Sequence, residues 1–273
     1  MIRKGKFLII AHYHNSGLIR SDTISLIKEA NKRFEDIYLI STKLNRNELK
    51  KIPSRVKIII RKNFGYDFYS WKMGIELVNK KIKNQEEKFI FLLGTGLYCL
   101  NPKKFLNQII NFNKINKNKV WSLSKSYEIS EHLQSDFFSF PLSLLKIEGF
   151  SSWWFNIKKY TKRSTIIGKY ELGFSNFLKS KNIPITCIFD ENLKINPNTL
   201  KKKIVLKIKN IFYKEKKIYK KNPTHYFWKE FLIKFGMIKI DLIKYNHINT
   251  DLSYLDKILK KKKKKFIEEA NNN

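Results

Sequence analysis

Short continuous apolar runs alternate with longer amphipathic stretches along most of the chain. Phe7-Leu8-Ile9-Ile10-Ala11, inside Lys6 to Tyr13, has the look of a strand buried on both faces. Ile37 to Ile40, Val56 to Ile60, Lys88 to Leu93, Val120 to Leu123 and Ile185 to Phe189 repeat it. Between these runs the spacing turns helical. Ser21 or Asp22 can cap a helix carrying Ile24, Ile27 and Ala30. Trp71 to Lys80 predicts a second helix, and Pro102 opens a third holding Phe105, Ile109 and Phe112. A fourth is expected from about Ser164 to Ser180, stopped by Asn182-Ile183-Pro184. His132 to Phe140 alternates only in part and reads as an edge or crossover strand. Phe150 to Ile157 holds Trp153 and Trp154. Strands alternating with helices predict an α/β fold with a mainly parallel sheet flanked by helices.

The pattern changes after about Pro197. Leu200 to Tyr213 is rich in lysine, Tyr226 to Phe235 and Ile238 to Tyr245 are amphipathic, and Lys260 to Lys265 is an unbroken lysine run. We therefore expect a first domain over 1–197 and a basic helical C-terminal extension over 198–273. The net charge is +33, and much of the lysine arrives with isoleucine, asparagine and phenylalanine, as compositional bias would produce. The late concentration of charge goes beyond such bias. It fits an anionic membrane surface, an anionic substrate or nucleic acid. No named nucleic-acid module is present, so no nucleic-acid partner is expected. Two cysteines, Cys99 and Cys187, are too few for a disulfide framework and fit a reducing compartment. The run Phe7 to Ala11 is too short for a signal-peptide core, and no stretch of about 18 apolar residues occurs. These features predict a cytoplasmic protein.

Arg61-Lys62-Asn63-Phe64-Gly65-Tyr66-Asp67 carries the densest candidate chemistry. It joins a buried strand to a helix, a place where an open α/β sheet commonly holds a ligand. Gly65 permits a backbone conformation closed to other residues. Asp67 falls at the helix start, where it would cap the helix or face a ligand. His12 and His14 share one strand face, and without further ligands they read as surface or loop-supporting histidines.

Several stretches, in order, resemble the rhamnan synthesis protein F family, sugar transferases of bacterial surface polysaccharides. They are Ala11-His12-Tyr13-His14, Arg61 to Phe68 with Trp71 and Gly74, and Phe91-Leu92-Leu93 followed by Tyr98. His132-Leu133-Gln134-Ser135 and Lys169-Tyr170-Glu171-Leu172 with Ser175 and Leu178 come next. Asn222-Pro223-Thr224-His225 with Trp228, and Ile238-Lys239, complete the set. The resemblance implies a Rossmann-like sheet of the GT-A type that binds a nucleotide-sugar.

Such enzymes usually hold a divalent cation, Mg or Mn, on an acidic pair after the fourth strand. The family tends to have Asn-Asp-Ser there, whereas this chain has Gly94-Thr95-Gly96, so the usual metal ligands are missing and no metal residue is assigned. Cations such as Arg61, Lys62 or Arg20, or an amide nest at Gly94 and Gly96, would then have to face the diphosphate. On this reading Arg61, Asn63, Gly65, Asp67, Gly94, Thr95 and Gly96 bind the donor. Glu171 is the candidate catalytic base, with Asp136 as its alternative. His132, Gln134 and Trp153 would contact the acceptor. The resemblance implies a nucleotide-sugar donor, with dTDP-rhamnose the leading candidate, and a glycan or lipid-linked acceptor. Lys260 to Lys265 would let the protein sit peripherally on the anionic inner membrane face. A non-catalytic relative that assembles polysaccharide or binds glycan remains the alternative.

Overall fold

The computed structural model describes residues 4–82, 87–190, 222–259 and 267–269. The expected α/β plan is what it shows. In chain order the first half runs β1 (Lys6–His12), α1 (Ser21–Ala30), β2 (Asp36–Ser41), α2 (Arg46–Leu49), β3 (Lys57–Ile60), α3 (Tyr66–Lys81), β4 (Phe89–Gly94), β5 (Leu97–Cys99) and α4 (Pro102–Ile115). The chain continues through β6 (Val120–Ser126), β7 (His132–Leu133), β8 (Phe137–Pro141), α5 (Phe150–Phe155), α6 (Arg163–Ile166), a π-helical segment Ile167–Leu172, α7 (Gly173–Ser180) and β9 (Ile185–Phe189). It closes with α8 (Pro223–Tyr226), α9 (Trp228–Phe235), β10 (Met237–Lys239), α10 (Ile240–Tyr245) and α11 (Ser253–Leu259).

The eight-stranded sheet has the order β3-β2-β1-β4-β8-β6-β7, with β9 beside β6. The β3-β2-β1-β4 part is parallel, and β8 pairs antiparallel with both β4 and β6. Alternate residues of β1 face opposite sides. Phe7, Ile9 and Ala11 join one apolar cluster with Trp71, Phe138 and Trp154, while Leu8 and Ile10 join another with Phe91, Phe105 and Trp121. α3 buries Phe68, Trp71, Ile75 and Val78 on one stripe over the sheet. It comes so close that a Cβ on Gly74 would lie 2.4 Å from Ile9 Cγ2.

Four expectations are corrected. The strand before the Arg61 turn is not buried: β3 is the outer strand, with Lys57 and Ile60 exposed and Ile58 and Ile59 half-buried. The helix after the Arg61 turn starts at Tyr66, not Trp71, and Asp67 does not cap it: Gly65 is the N-cap and receives no side-chain bond. Of the expected edge or crossover strand, β7 does lie at the end of the sheet, whereas β8 is interior. Its apparent alternation came from Ser139, which is buried and donates to Asn113 Oδ1 at 3.1 Å. Ile238 to Tyr245 is not one amphipathic stretch. Gly236, at φ 68°, ends α9 and turns the chain so that β10 pairs antiparallel with β5, Lys239 opposite Leu97. The helix expected from Ser164 is found, as α6, the π segment and α7 in succession.

Phe231, Phe235 and Met237 pack into the cluster on one face of the sheet. The expected boundary at 197, the Leu200 to Tyr213 stretch and Lys260 to Lys265 lie outside the described residues. Among the described residues no helix is long and apolar enough to cross a membrane.

Candidate functional site

The chain runs β1, β2, β3 outward, then crosses back to place β4 on the other side of β1. That reversal opens a crevice at the carboxyl ends of the strands. A cavity of about 430 Å³ lies there, lined by His12, Thr42, Arg61, Asn63, Asp67 and Gly96 among others. Tyr13 and Tyr66 stand on its lining at 39% and 46% exposure, available to stack on a flat ring. His12 hydrogen-bonds Ser41 Oγ at 2.8 Å, and burial, with Arg20's charge, pushes its imidazole down to about 4. It is therefore neutral at physiological pH. His14 is held by Ser16, as a loop support would be.

Arg61 is used differently from expectation. Its guanidinium donates to Ser70 Oγ (2.8 Å) and to the carbonyls of Lys62 (2.8 Å), Phe64 (2.5 Å) and Tyr66 (2.5 Å). It folds the turn with four of its five N–H groups, leaving one N–H and its charge for a ligand. Gly65 sits at φ 68° and its amide donates to Tyr160 O at 2.6 Å. Gly65 thus shapes the cavity without offering a donor to it. Arg20 turns away, pairing with Asp22 at 2.8 Å and donating to the carbonyls of Thr95 and Leu97. The expected amide nest at Gly94 and Gly96 is not formed. Gly94 N already donates to Asp136 O (3.0 Å) and Thr95 N to Ala11 O (3.2 Å), and neither glycine has positive φ. Thr95 and Gly96 do line the cavity, as does Asn63.

A second cavity of about 450 Å³ collects His132, Gln134, Asp136, Glu171, His225 and Lys239 with nine further residues. Three acid–base pairs meet in it. Lys239 Nζ lies 2.7 Å from Asp136 Oδ2, with the two side chains only 13% and 14% exposed. His225 Nε2 is 3.2 Å from Asp241 Oδ1. His132 Nε2 is 3.8 Å from Glu171 Oε1, which also accepts Ser135 N–H at 3.3 Å. Burial alone would raise Glu171. The nearby His132 imidazole and the charge of Lys239 outweigh it, so the carboxyl stays below its ordinary value. His132 moves up correspondingly, against burial, through Glu171 and the Ser130 carbonyl. Asp241 is held at about 2: burial opposes this, but His225 and Lys239 prevail.

The two cavities share a wall at the end of β4. A Cβ on Gly94 would lie 2.4 Å from Asp67 Oδ2 and 3.7 Å from Asp136 O, so glycine is what lets the Asp67 carboxyl approach the strand end. Burial pushes Asp67 up to about 7, and the charges of Asp136 and Glu171 add to that while Arg61 opposes it. Asp67, Gly94 to Gly96, Asp136 and Glu171 therefore do converge. Glu171 lies on the π segment, a distortion frequent at functional sites.

Trp153 is not brought to this place. It lines a separate shallow depression with Tyr160, Tyr170 and Phe177, its ring 4.5 Å from that of Phe174. Conversely, Asn222, His225, Lys239 and Asp241 were not among the expected site residues. The signal existed, because Asn222-Pro223-Thr224-His225 and Ile238-Lys239 are two of the ordered stretches. Nothing local says that Lys239 reaches a strand end far upstream.

The carboxylates at the junction do not fit a divalent cation. Asp136 is neutralised by Lys239, and Glu171 is engaged by Ser135 N–H and faces His132. Among the described residues no group of three or more His, Cys, Asp or Glu is arranged to hold a metal.

The family model described as rhamnan synthesis protein F matches residues 37–273. "Virulence protein VirA" of Vibrio anguillarum is 26% identical over 197 residues, 69% of this chain and 62% of that protein. The chain thus spans about 62% of the length of the curated relative it matches. Similar solved structures include a CMP:2-keto-3-deoxy-manno-octonic acid synthetase complexed with CTP, 9% identical over 76% of this chain and 100% of that one, at a TM-score of 0.39. The glycosyltransferase GlyE of Streptococcus pneumoniae is 11% identical over 77% of this chain and 51% of that one, at a TM-score of 0.38.

Proposed function

The chain belongs to the rhamnan synthesis protein F family, and we propose that it is a glycosyltransferase moving a sugar from a nucleotide donor to a growing surface polysaccharide. Rhamnose, delivered as dTDP-rhamnose, is the leading sugar within that reading. One observation carries it: a cavity at the sheet's switch point adjoins a second cavity holding three acid–base pairs.

The first cavity would take the nucleoside, with Tyr13 or Tyr66 against the base and Asn63 and Thr95 hydrogen-bonding the sugar or phosphates. The donor's sugar would pass the Gly94 wall beside the Asp67 carboxyl. The second cavity would take the acceptor. His132, Gln134, Asn222 and His225 supply the mixed donors and acceptors that sugar hydroxyls need. Glu171 is the base: ionised at neutral pH, aimed into the cavity and oriented by His132 and Ser135 N–H. Asp136 is less suited, because its charge is already matched by Lys239. Trp153 would serve at most a more distant unit of the glycan, across its own depression.

Work at the cytoplasmic face of a membrane, aided by Lys260 to Lys265, belongs to the same proposal. The test is a screen of nucleotide-sugars for saturable binding to the purified protein. A dTDP-sugar should bind and occupy the first cavity. If no nucleotide-sugar binds while a glycan does, the non-catalytic, glycan-binding reading replaces this one.

A further inference from the structure

We propose that Lys239 provides the positive charge against which the donor's diphosphate leaves, so that donor binding and transfer need no divalent cation. The inference rests on the transferase reading above and deepens it. Four observations converge on it.

First, β10 is clamped to the loop that floors the donor cavity. Lys239 stands opposite Leu97, and Ile240 N donates to Gly96 O at 3.0 Å. Gly96 lines the first cavity and Lys239 lines the second, so β10 ties the two together, with the ammonium seated on Asp136 in the second. Second, the ammonium is fixed. Its side chain is 13% exposed and Asp136 Oδ2 holds it at 2.7 Å. Third, the Gly94 wall is rich in carboxyls. Asp67, Asp136 and Glu171 interact with one another across it, a poor setting for a diphosphate unless a cation intervenes. Arg20 faces the Thr95 and Leu97 carbonyls and Arg61 gives four of its five N–H groups to the turn, whereas Lys239 is the cation seated on a carboxylate of this group. Fourth, a divalent ion placed on Asp136 would have to displace an ammonium already seated there, and like charges this close repel.

In the transfer step the acceptor oxygen forms a bond to the anomeric carbon as the bond from that carbon to the phosphate oxygen breaks. The electron pair of the broken bond stays on the diphosphate, and the acceptor's hydroxyl proton passes to the Glu171 carboxylate. Lys239 keeps its proton and stabilises the added negative charge electrostatically.

The test is binding of thymidine diphosphate and of thymidine, by titration calorimetry, in EDTA and again in Mg²⁺ or Mn²⁺. Thymidine diphosphate should bind in EDTA with an affinity within about threefold of that with metal, a shift too small for a lost charge contact. Lys239→Met should weaken thymidine diphosphate by about tenfold or more and leave thymidine unchanged, with Lys239→Arg recovering part of the loss. Because Lys239→Met strands Asp136, the pair Lys239→Met with Asp136→Asn is measured beside it and should show the same selective loss. Diphosphate binding that requires metal, or that is indifferent to Lys239 in both backgrounds, overturns the inference and leaves the transferase reading standing. No binding of thymidine or any nucleoside diphosphate in any arm removes the transferase reading, and this inference with it.

Discussion

The two cavities use charged side chains in opposite ways. In the turn from Arg61 to Asp67, charge is spent on the backbone: one guanidinium gathers three carbonyls and a serine hydroxyl. In the second cavity, charge is spent on charge, with each acid facing a base from a distant part of the chain. The first arrangement sets a shape. The second sets ionisation states. A ligand therefore meets a preformed pocket on one side of Gly94 and a tuned set of titratable groups on the other. Four changes would break or sharpen that contrast.

The largest effect should come from the tuned side. Glu171→Gln should lower transfer about a hundred- to ten-thousand-fold while donor affinity stays within about twofold, the range expected for a removed general base. Unchanged turnover would take Glu171 out of that role. On the shape-setting side, Arg61→Met leaves several carbonyls unpaired and should cost about 3 kcal/mol of stability, read as a lower denaturant midpoint. Donor binding should fall only as far as the turn loosens, and a fully folded variant that has lost donor binding would mean the guanidinium contacts the ligand directly.

Asp67 lies between the two regimes. Its folded value of about 7 stands above the ordinary 3.8. The folded protein holds a proton that the unfolded chain has released, so this group's stabilisation is complete below about pH 4 and lost as pH rises through 7. Asp67→Asn abolishes that loss. It should gain about 2 kcal/mol on the wild type between pH 5 and pH 8, by urea unfolding at each pH. An equal difference at both values would show that burial does not act on the charge. The smallest change expected is Gly94→Ala, which pushes the Asp67 carboxyl from its seat and should cost about 1 kcal/mol. In an Asp67→Ala background most of that cost should vanish, since the clash partner is gone.

Much of the fold was legible. The strands of the parallel half are continuous apolar runs, and Trp71 and Gly74 sit where a helix of period 3.6 puts its buried face. What escaped was long-range or locally ambiguous. β8 looked half-exposed because Ser139 is polar, and only Asn113 from α4 explains its burial. Leu97–Cys99 has no strand signature of its own. It is a strand because Met237–Lys239 arrives to pair with it. The same gap explains the site. Arg61, Asp67, Asp136, His132 and Glu171 could be picked out as chemistry-bearing residues. Their division into turn-builders and ionised pairs depends on which carbonyl or carboxylate lies opposite, and no spacing encodes that. Trp153 was expected to offer its face to an acceptor sugar, whereas its ring packs against Phe174 at the edge of the core cluster.

The pairing of β5 with β10 has a consequence for how the protein is made. Synthesis delivers the whole eight-stranded sheet well before it delivers Met237–Lys239. A chain still on the ribosome can shape the crevice at the strand ends but lacks the segment that brings Lys239 and Asp241. Such non-local contacts are also the slower ones to form. The acid–base cavity is thus completed only after the sheet, and a copy that ends before Met237 lacks Lys239 and Asp241.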